Sequence, residues 1–139
     1  MVGLTLLACV AHLQGVVVPG ERLVLIEADG TRWKLEAGPD QRVLEQLEDC
    51  TLEVDGNRVG RRVVVRDWSV LAAADGSAPY LGQLRVHGNN LVLDDRNSGS
   101  TIVLEQADQL REHEGKQVLV IGYVAAPHVV VVMGWKILD

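Results

Sequence analysis

The sequence Val63-Val64-Val65-Arg66-Asp67-Trp68-Ser69-Val70-Leu71 returns 67 residues later as Val130-Val131-Val132-Met133-Gly134-Trp135-Lys136-Ile137-Leu138. Each copy places a tryptophan three residues after a run of valines and three residues before a leucine. A valine-rich chain produces matching valines by chance, but two tryptophans in the same frame are harder to obtain that way. Runs of β-branched residues are typical of strands. The pattern therefore predicts a duplicated unit that ends in a long strand.

The rest of the chain follows the same repeat, with shifts of 67–69 residues. The matched segments are His12-Leu13-Gln14-Gly15 with Tyr80-Leu81-Gly82-Gln83, Leu23-Val24-Leu25 with Leu91-Val92-Leu93, Leu35-Glu36 with Leu104-Glu105, and Asp40-Gln41 with Asp108-Gln109. Residues 73–78 have the alanine, glycine and serine content of a linker. We therefore predict one unit over residues 1–72 and a second over residues 79–139.

The composition favours a β-strand fold and gives the protein a net negative charge. The chain has 139 residues, of which 47% are hydrophobic and only 4% aromatic, with no phenylalanine. The core must therefore consist mainly of valine and leucine. Residues 1–71 carry 8 Lys+Arg and 11 Asp+Glu, and residues 72–139 carry 5 and 8, so each part contributes −3 to the net charge of −6. An acidic protein is repelled by a phosphate backbone, which disfavours general nucleic-acid binding.

Turn signals and periodicity divide each unit into three strands, a short helix and two strands. In the helix over Asp40 to Asp49, Val43, Leu44 and Leu47 form one apolar stripe, and Pro39 precedes it. In the second unit we expect one or two helical turns from Asp108 to Glu114. The fold class is therefore all-β, with two tandem five-stranded barrels in the order β-β-β-α-β-β.

That element order resembles the OB-fold barrel, which is used for oligonucleotide and oligosaccharide binding. The segment Gly115-Lys116-Gln117-Val118-Leu119-Val120-Ile121-Gly122-Tyr123-Val124, followed by a closing strand, is similar to the end of many bacterial OB-fold sequences. The resemblance covers both halves of the chain through a generic motif. It implies a fold and not a function, because this barrel carries many unrelated activities.

The N-terminus and the two cysteines bear on localisation. Met1 to Val10 is apolar, but its apolar run is short and it has no basic start, so we interpret it as the first strand rather than a signal segment. No apolar stretch is long enough to span a membrane. We expect Cys9 and Cys50 to be free thiols in a cytoplasmic protein. The alternative is a disulfide and export, because the resemblance implies that the first strand neighbours the fourth.

One strand face of each unit is a candidate binding surface. In the first unit, simple alternation places Arg62, Val64, Arg66 and Trp68 together, near Arg58 and Arg61, with Trp33 on another strand. These residues could bind an anionic group or a stacked base, with a cation–π contact between Arg66 and Trp68. The alternative, which we favour, is that the arginines form solvated ion pairs with Glu53, Asp55 and Asp67.

In the second unit the closing strand is apolar on both faces. Val130 and Val132 share one face, and the other carries Val129, Val131, Met133, Trp135 and Ile137. A strand buried on one side only should alternate apolar with polar residues, so the second face must be covered. We expect it to pack against the other barrel, with a homo-oligomer or a protein partner as the alternatives.

The sequence contains no recognisable catalytic or metal-binding pattern, so we predict neither an enzyme nor a cofactor. The chain has no phosphate-binding glycine loop, nucleophile elbow or zinc-ligand spacing. His12, His87, His113 and His128 fall on four different elements, and Asp94-Asp95 is interpreted as an exposed turn rather than a cation site. The first functional hypothesis is a non-enzymatic interaction module for a protein partner. Single-stranded nucleic-acid binding through the Arg/Trp face is the alternative, and ligand binding in an exported protein is a third.

Overall fold

The first half of the chain closes into a five-stranded barrel. The computed structural model describes residues 9–18, 20 and 22–138. The strands are β1 (Cys9–Val17), β2 (Val24–Glu27), β3 (Arg32–Glu36), β4 (Thr51–Val59) and β5 (Arg62–Ala72). Their order around the ring is β1-β2-β3-β5-β4, with β3 and β5 parallel and the other pairs antiparallel. A 3-10 turn (Gly38–Asp40) and helix α1 (Gln41–Glu45) lie between β3 and β4.

The second half repeats this architecture. Its strands are β6 (Tyr80–His87), β7 (Asn90–Asp95), β8 (Thr101–Glu105), β9 (Gln117–Ala126) and β10 (Val129–Leu138). They close in the order β6-β7-β8-β10-β9, and a 3-10 helix (Asp108–His113) separates β8 from β9. The chain divides into two compact units between Gly76 and Ser77. We call them barrel 1 and barrel 2, and the prediction of an all-β protein is confirmed.

The connectivity is consistent with small barrels of the OB-like kind. In each ring the first strand pairs with the fourth, and the helical segment follows the third strand. Strand β1 begins at Cys9, so the part of the predicted first strand over Met1 to Ala8 lies outside the described residues. Among the described helices none combines the length and the apolar character that a membrane crossing requires.

Valine and leucine fill both barrels, as the composition predicts. In barrel 2 a buried cluster contains Leu84, Leu93, Leu110, Val118 and Val120, all fully buried. In barrel 1 the inward positions of β1, β2 and β4 carry leucine and valine in the same way, α1 adds Val43 and Leu44, and the segment after it adds Leu47. Burying each such side chain contributes about 1.5–3 kcal/mol, which makes these interiors the main source of stability. The three apolar residues predicted for the helix are buried, but α1 ends at Glu45, so the predicted helix over Asp40 to Asp49 is too long and Leu47 lies beyond it.

Both closing strands contain a bulge at equivalent positions. Asp55 pairs with Asp67 but Gly56 pairs with Val65, which leaves Arg66 as the extra residue in β5. In β10 the corresponding shift leaves Met133 unpaired. Gly56 and Gly122 face these bulges, and a Cβ at either would overlap a backbone carbonyl oxygen, of Val64 or Val131. An extra residue reverses the alternation of faces beyond it.

Strand pairing shows that the sequence alignment of the two halves is wrong by one residue in the first strand of each barrel. Gly15 pairs with Glu27 in barrel 1, and Gly82 pairs with Asp95 in barrel 2. Gly15 therefore corresponds to Gly82 and Leu13 to Tyr80, whereas the sequence comparison placed His12 over Tyr80. Comparison of the two sequences does not by itself locate a one-residue gap within β1 or in the following turn. The register of the ladder decides it.

A disulfide between the two cysteines is excluded by the direction of the strands. Cys9 lies opposite Arg58, near the end of β4, whereas Cys50 precedes the start of β4, and its carbonyl accepts a hydrogen bond from the Val17 amide. The length of β1 thus separates the cysteines by roughly 26 Å at about 3.3 Å per residue. A disulfide requires Cα atoms within about 7 Å. Both thiols are free, and the support for export that the bridge would have supplied is lost.

Candidate functional site

The β4–β5 hairpin of barrel 1 carries four exposed arginines. Arg58 lies near the end of β4, Arg61 follows the turn at Gly60, and Arg62 and Arg66 lie on β5. We call these residues the arginine hairpin. The tight turn requires a positive φ angle, which Gly60 adopts without strain (φ 62°). Local chain geometry therefore groups positive charge at one hairpin of an otherwise acidic protein.

Two of these arginines are held by contacts within barrel 1. Arg62 Nη1 lies 2.9 Å from Glu36 Oε1. The guanidinium of Arg58 lies 4.8 Å from the centre of the Trp33 ring, and its Nε donates a hydrogen bond to the Gly60 carbonyl. Trp33 is itself buried, with Nε1 donating to Glu27 Oε1 at 2.6 Å. Because Arg58 covers its ring, Trp33 is not an open stacking platform.

The other two, Arg61 and Arg66, make no side-chain hydrogen bond or ion pair within the part of the chain that the structure describes. The predicted ion pairs with Glu53 and Asp55 do not form, because those carboxylates face His12. His12 Nδ1 lies 2.5 Å from Asp55 Oδ1, and Nε2 lies 3.8 Å from Glu53. The hydrogen bond to Asp55, with the charge of that carboxylate, raises the pKa of His12.

The predicted partnership of Arg66 with Trp68 is wrong. Trp68 is only 4% exposed, and its Nε1 donates a hydrogen bond to Asp40 Oδ2 at 2.9 Å. Simple alternation placed both residues on one face, but the bulge at Arg66 turns Trp68 toward the helical segment. The arginine hairpin can therefore attract an anion through charge, but it offers no exposed tryptophan for a base to stack on.

A pocket of about 260 Å³ lies beside Arg62. Its lining combines positive charges from Arg22, Lys34 and Arg62 with negative charges from Glu36 and Glu45. The parallel pairing of β3 with β5 sets Lys34 opposite Arg62, a relationship that the sequence alone does not reveal. This mixture of charges suits a small polar group better than an extended phosphate backbone.

The five residues predicted as one interface on β10 lie on two faces. Val129 is half-buried, Val131 is buried, and Met133 is 72% exposed at the bulge. Beyond the bulge, Trp135 and Ile137 pair with the core residues Val120 and Val118 and so face the barrel interior side. Trp135 is nevertheless 39% exposed. The prediction of a single apolar face is therefore wrong. Val129, Val131 and Met133 lie on the outer face, whereas Trp135 lies on the inner face and is partly exposed beside the helical segment.

Met133 and Trp135 line an open pocket of about 450 Å³, which we call the Trp135 pocket. Its other lining residues are Gln106, Asp108, Gln109, Val132 and Gly134. The ring of His113 lies 5.8 Å from that of Trp135, inclined by 50°, and its Nδ1 is buried without a hydrogen-bond partner among the described groups. Tyr123 and Val124, on the paired strand β9, are also exposed. The sequence predicted Met133 and Trp135 as interface residues, but it did not single out Gln106, Gln109, Tyr123 or Val124.

At the equivalent position of barrel 1 the corresponding side chains are buried. Leu47 and His113 correspond, because the carbonyl of each accepts a hydrogen bond from the amide three residues later, at Cys50 and Lys116. Leu47 is buried and Trp68 is buried and hydrogen-bonded, whereas Trp135 and His113 leave their region partly open. Two copies of one unit therefore differ in whether this tryptophan faces solvent.

The acidic pair Asp94-Asp95 has structural partners. Arg85 forms two hydrogen bonds with Asp94, at 2.6 and 2.8 Å, and these contacts lower the pKa of Asp94. Asp95 is 5% exposed and accepts hydrogen bonds from the Leu81 amide and from Ser98, so its interpretation as an exposed turn residue is wrong. Within the described ranges no group of three or more histidine, cysteine or acidic side chains is placed to hold a metal ion.

No protein-family model, curated protein or solved structure matches this chain significantly. Functional inference therefore depends on the geometry of the chain itself. The two barrels serve as mutual references, since differences at equivalent positions identify features that the fold does not require.

Proposed function

We propose that the protein is a non-enzymatic interaction module that binds a protein partner through the Trp135 pocket. The observation that carries this proposal is the exposure of Trp135 at a position where barrel 1 buries Trp68. A large aromatic side chain left open to water has an unfavourable hydration free energy, which a partner would relieve. Tryptophan is also among the residues that contribute most to binding at protein interfaces.

The surroundings of the pocket suit a protein rather than an anion. Met133 supplies a flexible apolar side chain, and such residues adapt to the shape of a partner. Gln106 and Gln109 provide hydrogen-bonding groups at the rim, and the carboxylate of Asp108 adds negative charge that disfavours phosphate. Apolar residues flanked by polar ones are typical of interface composition.

The repeat supplies a matched pair of variants. Met133→Glu places a charge in the Trp135 pocket, and Arg66→Glu changes the equivalent bulge residue of barrel 1. A photo-reactive amino acid at position 133 should cross-link a discrete partner in native cells, and a second copy of the chain would give a product of twice the mass. With the partner purified, M133E should weaken binding at least tenfold and R66E less than twofold. Equal effects of the two variants would contradict the proposal.

A second candidate is single-stranded nucleic-acid binding at the arginine hairpin. It is favoured by Arg61 and Arg66, two exposed cations without ion-pair partners among the described residues. It is weakened by the burial of Trp33 and Trp68, since sequence-tolerant binding of single strands depends on aromatic stacking. Fluorescence anisotropy with a labelled oligonucleotide at low salt discriminates between the candidates. Micromolar affinity that R66E weakens and M133E does not would favour this function.

A further inference from the structure

The end of barrel 1 holds a buried indole ring in a defined set of contacts. Trp33 pairs with Leu25 across β2 and β3, and its Nε1 donates a hydrogen bond to Glu27 Oε1 at 2.6 Å. Arg58 covers the ring at 4.8 Å. The ring is thus fixed by one carboxylate acceptor and one covering side chain.

Barrel 2 has a smaller residue at each of the positions equivalent to Trp33, Glu27 and Arg58. Ile102 pairs with Leu93 as Trp33 pairs with Leu25. Asp95 corresponds to Glu27, because it pairs with Gly82 as Glu27 pairs with Gly15. Val124 corresponds to Arg58, because it pairs with Val130 as Arg58 pairs with Val63. Barrel 2 therefore keeps the carboxylate but lacks both the indole ring and the guanidinium that covers it.

A pocket of about 210 Å³ lies where these groups are missing. It is lined by Ile102, Asp95 and Val124, together with Tyr80, Ser98 and His128 among others. Its volume is comparable to that of apolar cavities of about 150 Å³ that bind benzene in other proteins. The space is therefore large enough for one aromatic ring system.

Asp95 lines this pocket and has the capacity to accept one further hydrogen bond. Its Oδ1 accepts the Leu81 amide at 3.2 Å, and its Oδ2 accepts the amide and hydroxyl of Ser98 at 3.2 and 2.8 Å. An ionised carboxylate has about four lone-pair directions, so one remains on Oδ1. At 5% exposure Asp95 is shielded from water, which strengthens a hydrogen bond made inside the pocket.

We propose that this pocket binds a planar aromatic molecule with a ring N–H, which donates to Asp95 as the indole of Trp33 donates to Glu27. Ile102, Val124 and Val130 provide the apolar walls that such a ring requires. The negative charge of Asp95 excludes anionic ligands and favours neutral or cationic heterocycles. The same chemistry is carried by a free heterocycle and by the side chain of a tryptophan in a peptide.

Indole titrated into the full chain tests the proposal, with binding followed by NMR chemical shifts. Indole should shift the signals of Tyr80, Ile102 and Val124, and 1-methylindole, which lacks the N–H, should bind at least tenfold more weakly. N-acetyl-tryptophanamide distinguishes the sources: tighter binding than indole indicates a peptide side chain, and weaker binding a free heterocycle. The absence of shifts with indole, or equal binding of 1-methylindole, would overturn the proposal.

Two variants add independent readouts. Ile102→Trp should fill the pocket from within, raise the melting temperature and weaken indole binding at least tenfold. Trp33→Ile should open an equivalent pocket in barrel 1, so that saturating indole raises the melting temperature of W33I more than that of the wild type. If I102W does not fold, W33I decides alone. An indole-induced shift in W33I no larger than that of the wild type would count against the transfer of geometry between the barrels.

Discussion

Trp68 Nε1 donates a hydrogen bond to Asp40 Oδ2 at 2.9 Å, which joins the closing strand of barrel 1 to its helical segment. The Asp40 side chain makes no cap hydrogen bond to the following helix. Asp40→Ala leaves the buried indole N–H without this acceptor, which should cost about 1–3 kcal/mol in the free energy of unfolding. Urea denaturation measures it. Asp108→Ala is the matched control in barrel 2, where the aspartate is 96% exposed, and should change stability by less than about 0.5 kcal/mol. Similar losses in both variants would show that the bond to Trp68 contributes little.

The glycines opposite the two bulges should tolerate no side chain. A Cβ at Gly56 or Gly122 would overlap the carbonyl oxygen of Val64 or Val131, and backbone atoms cannot move aside easily. We expect Gly56→Ala and Gly122→Ala each to lower the free energy of unfolding by about 1–3 kcal/mol, the usual range for overpacking. Gly134→Ala is the control, since its Cβ would meet no atom within 4 Å. Thermal unfolding that ranks G134A with the other two would refute the close approach.

The contact of His12 with Asp55 should make stability depend on pH. The hydrogen bond and charge of Asp55 raise the pKa of His12 above its ordinary value of 6.5, with a smaller contribution from Glu53. Since the folded state binds the proton more tightly, the stabilisation is fully present below pH 6.5 and is lost as the pH rises through the raised pKa. An NMR titration should show the His12 pKa falling in Asp55→Asn. His12→Gln should lose this part of the pH dependence of the melting temperature, and an unchanged pH profile in H12Q would assign that dependence elsewhere.

The two cysteines should differ in reactivity. Cys9 is exposed at the start of β1, whereas Cys50 is 4% exposed between the helical segment and β4. A thiol reagent should therefore react rapidly with one thiol in the folded protein and with two in denaturant, because burial blocks access to Cys50. Cys9→Ser should abolish the fast phase and leave the slow one. Failure to titrate any thiol in denaturant would indicate a disulfide that the direction of β1 and β4 forbids.

Local patterns predicted much of the architecture. The alternation of apolar residues, the glycine turns and the stripe of Val43, Leu44 and Leu47 depend on neighbours within a few positions, so they survive in the folded chain. The duplicated Val-Val-Val and tryptophan pattern also predicted two copies of one unit, and each copy closes into a five-stranded ring that leaves no unpaired strand edge.

The candidate sites were predicted less well, and the reason is specific. Assigning Trp68 and Arg66 to one face assumed a regular ladder, and the extra residue at the bulge breaks that assumption. The equivalent bulge in β10 places Met133 and Trp135 on different faces, so the predicted interface is not one surface. A bulge depends on which residue of the neighbouring strand lies opposite, and Gly56 is ten residues from Arg66 along the chain. Alternation within one strand carries no information about that pairing.

By itself the sequence determined the strand content, the repeat, the valine and leucine interiors and the distribution of charge, because these follow from side-chain chemistry and local periodicity. Only the tertiary structure decided which tryptophans are buried, which arginines keep an ion pair, and that Cys9 and Cys50 lie at opposite ends of a ladder. These properties depend on strand direction, register and closure of the rings, which arise from pairing between residues far apart in the chain.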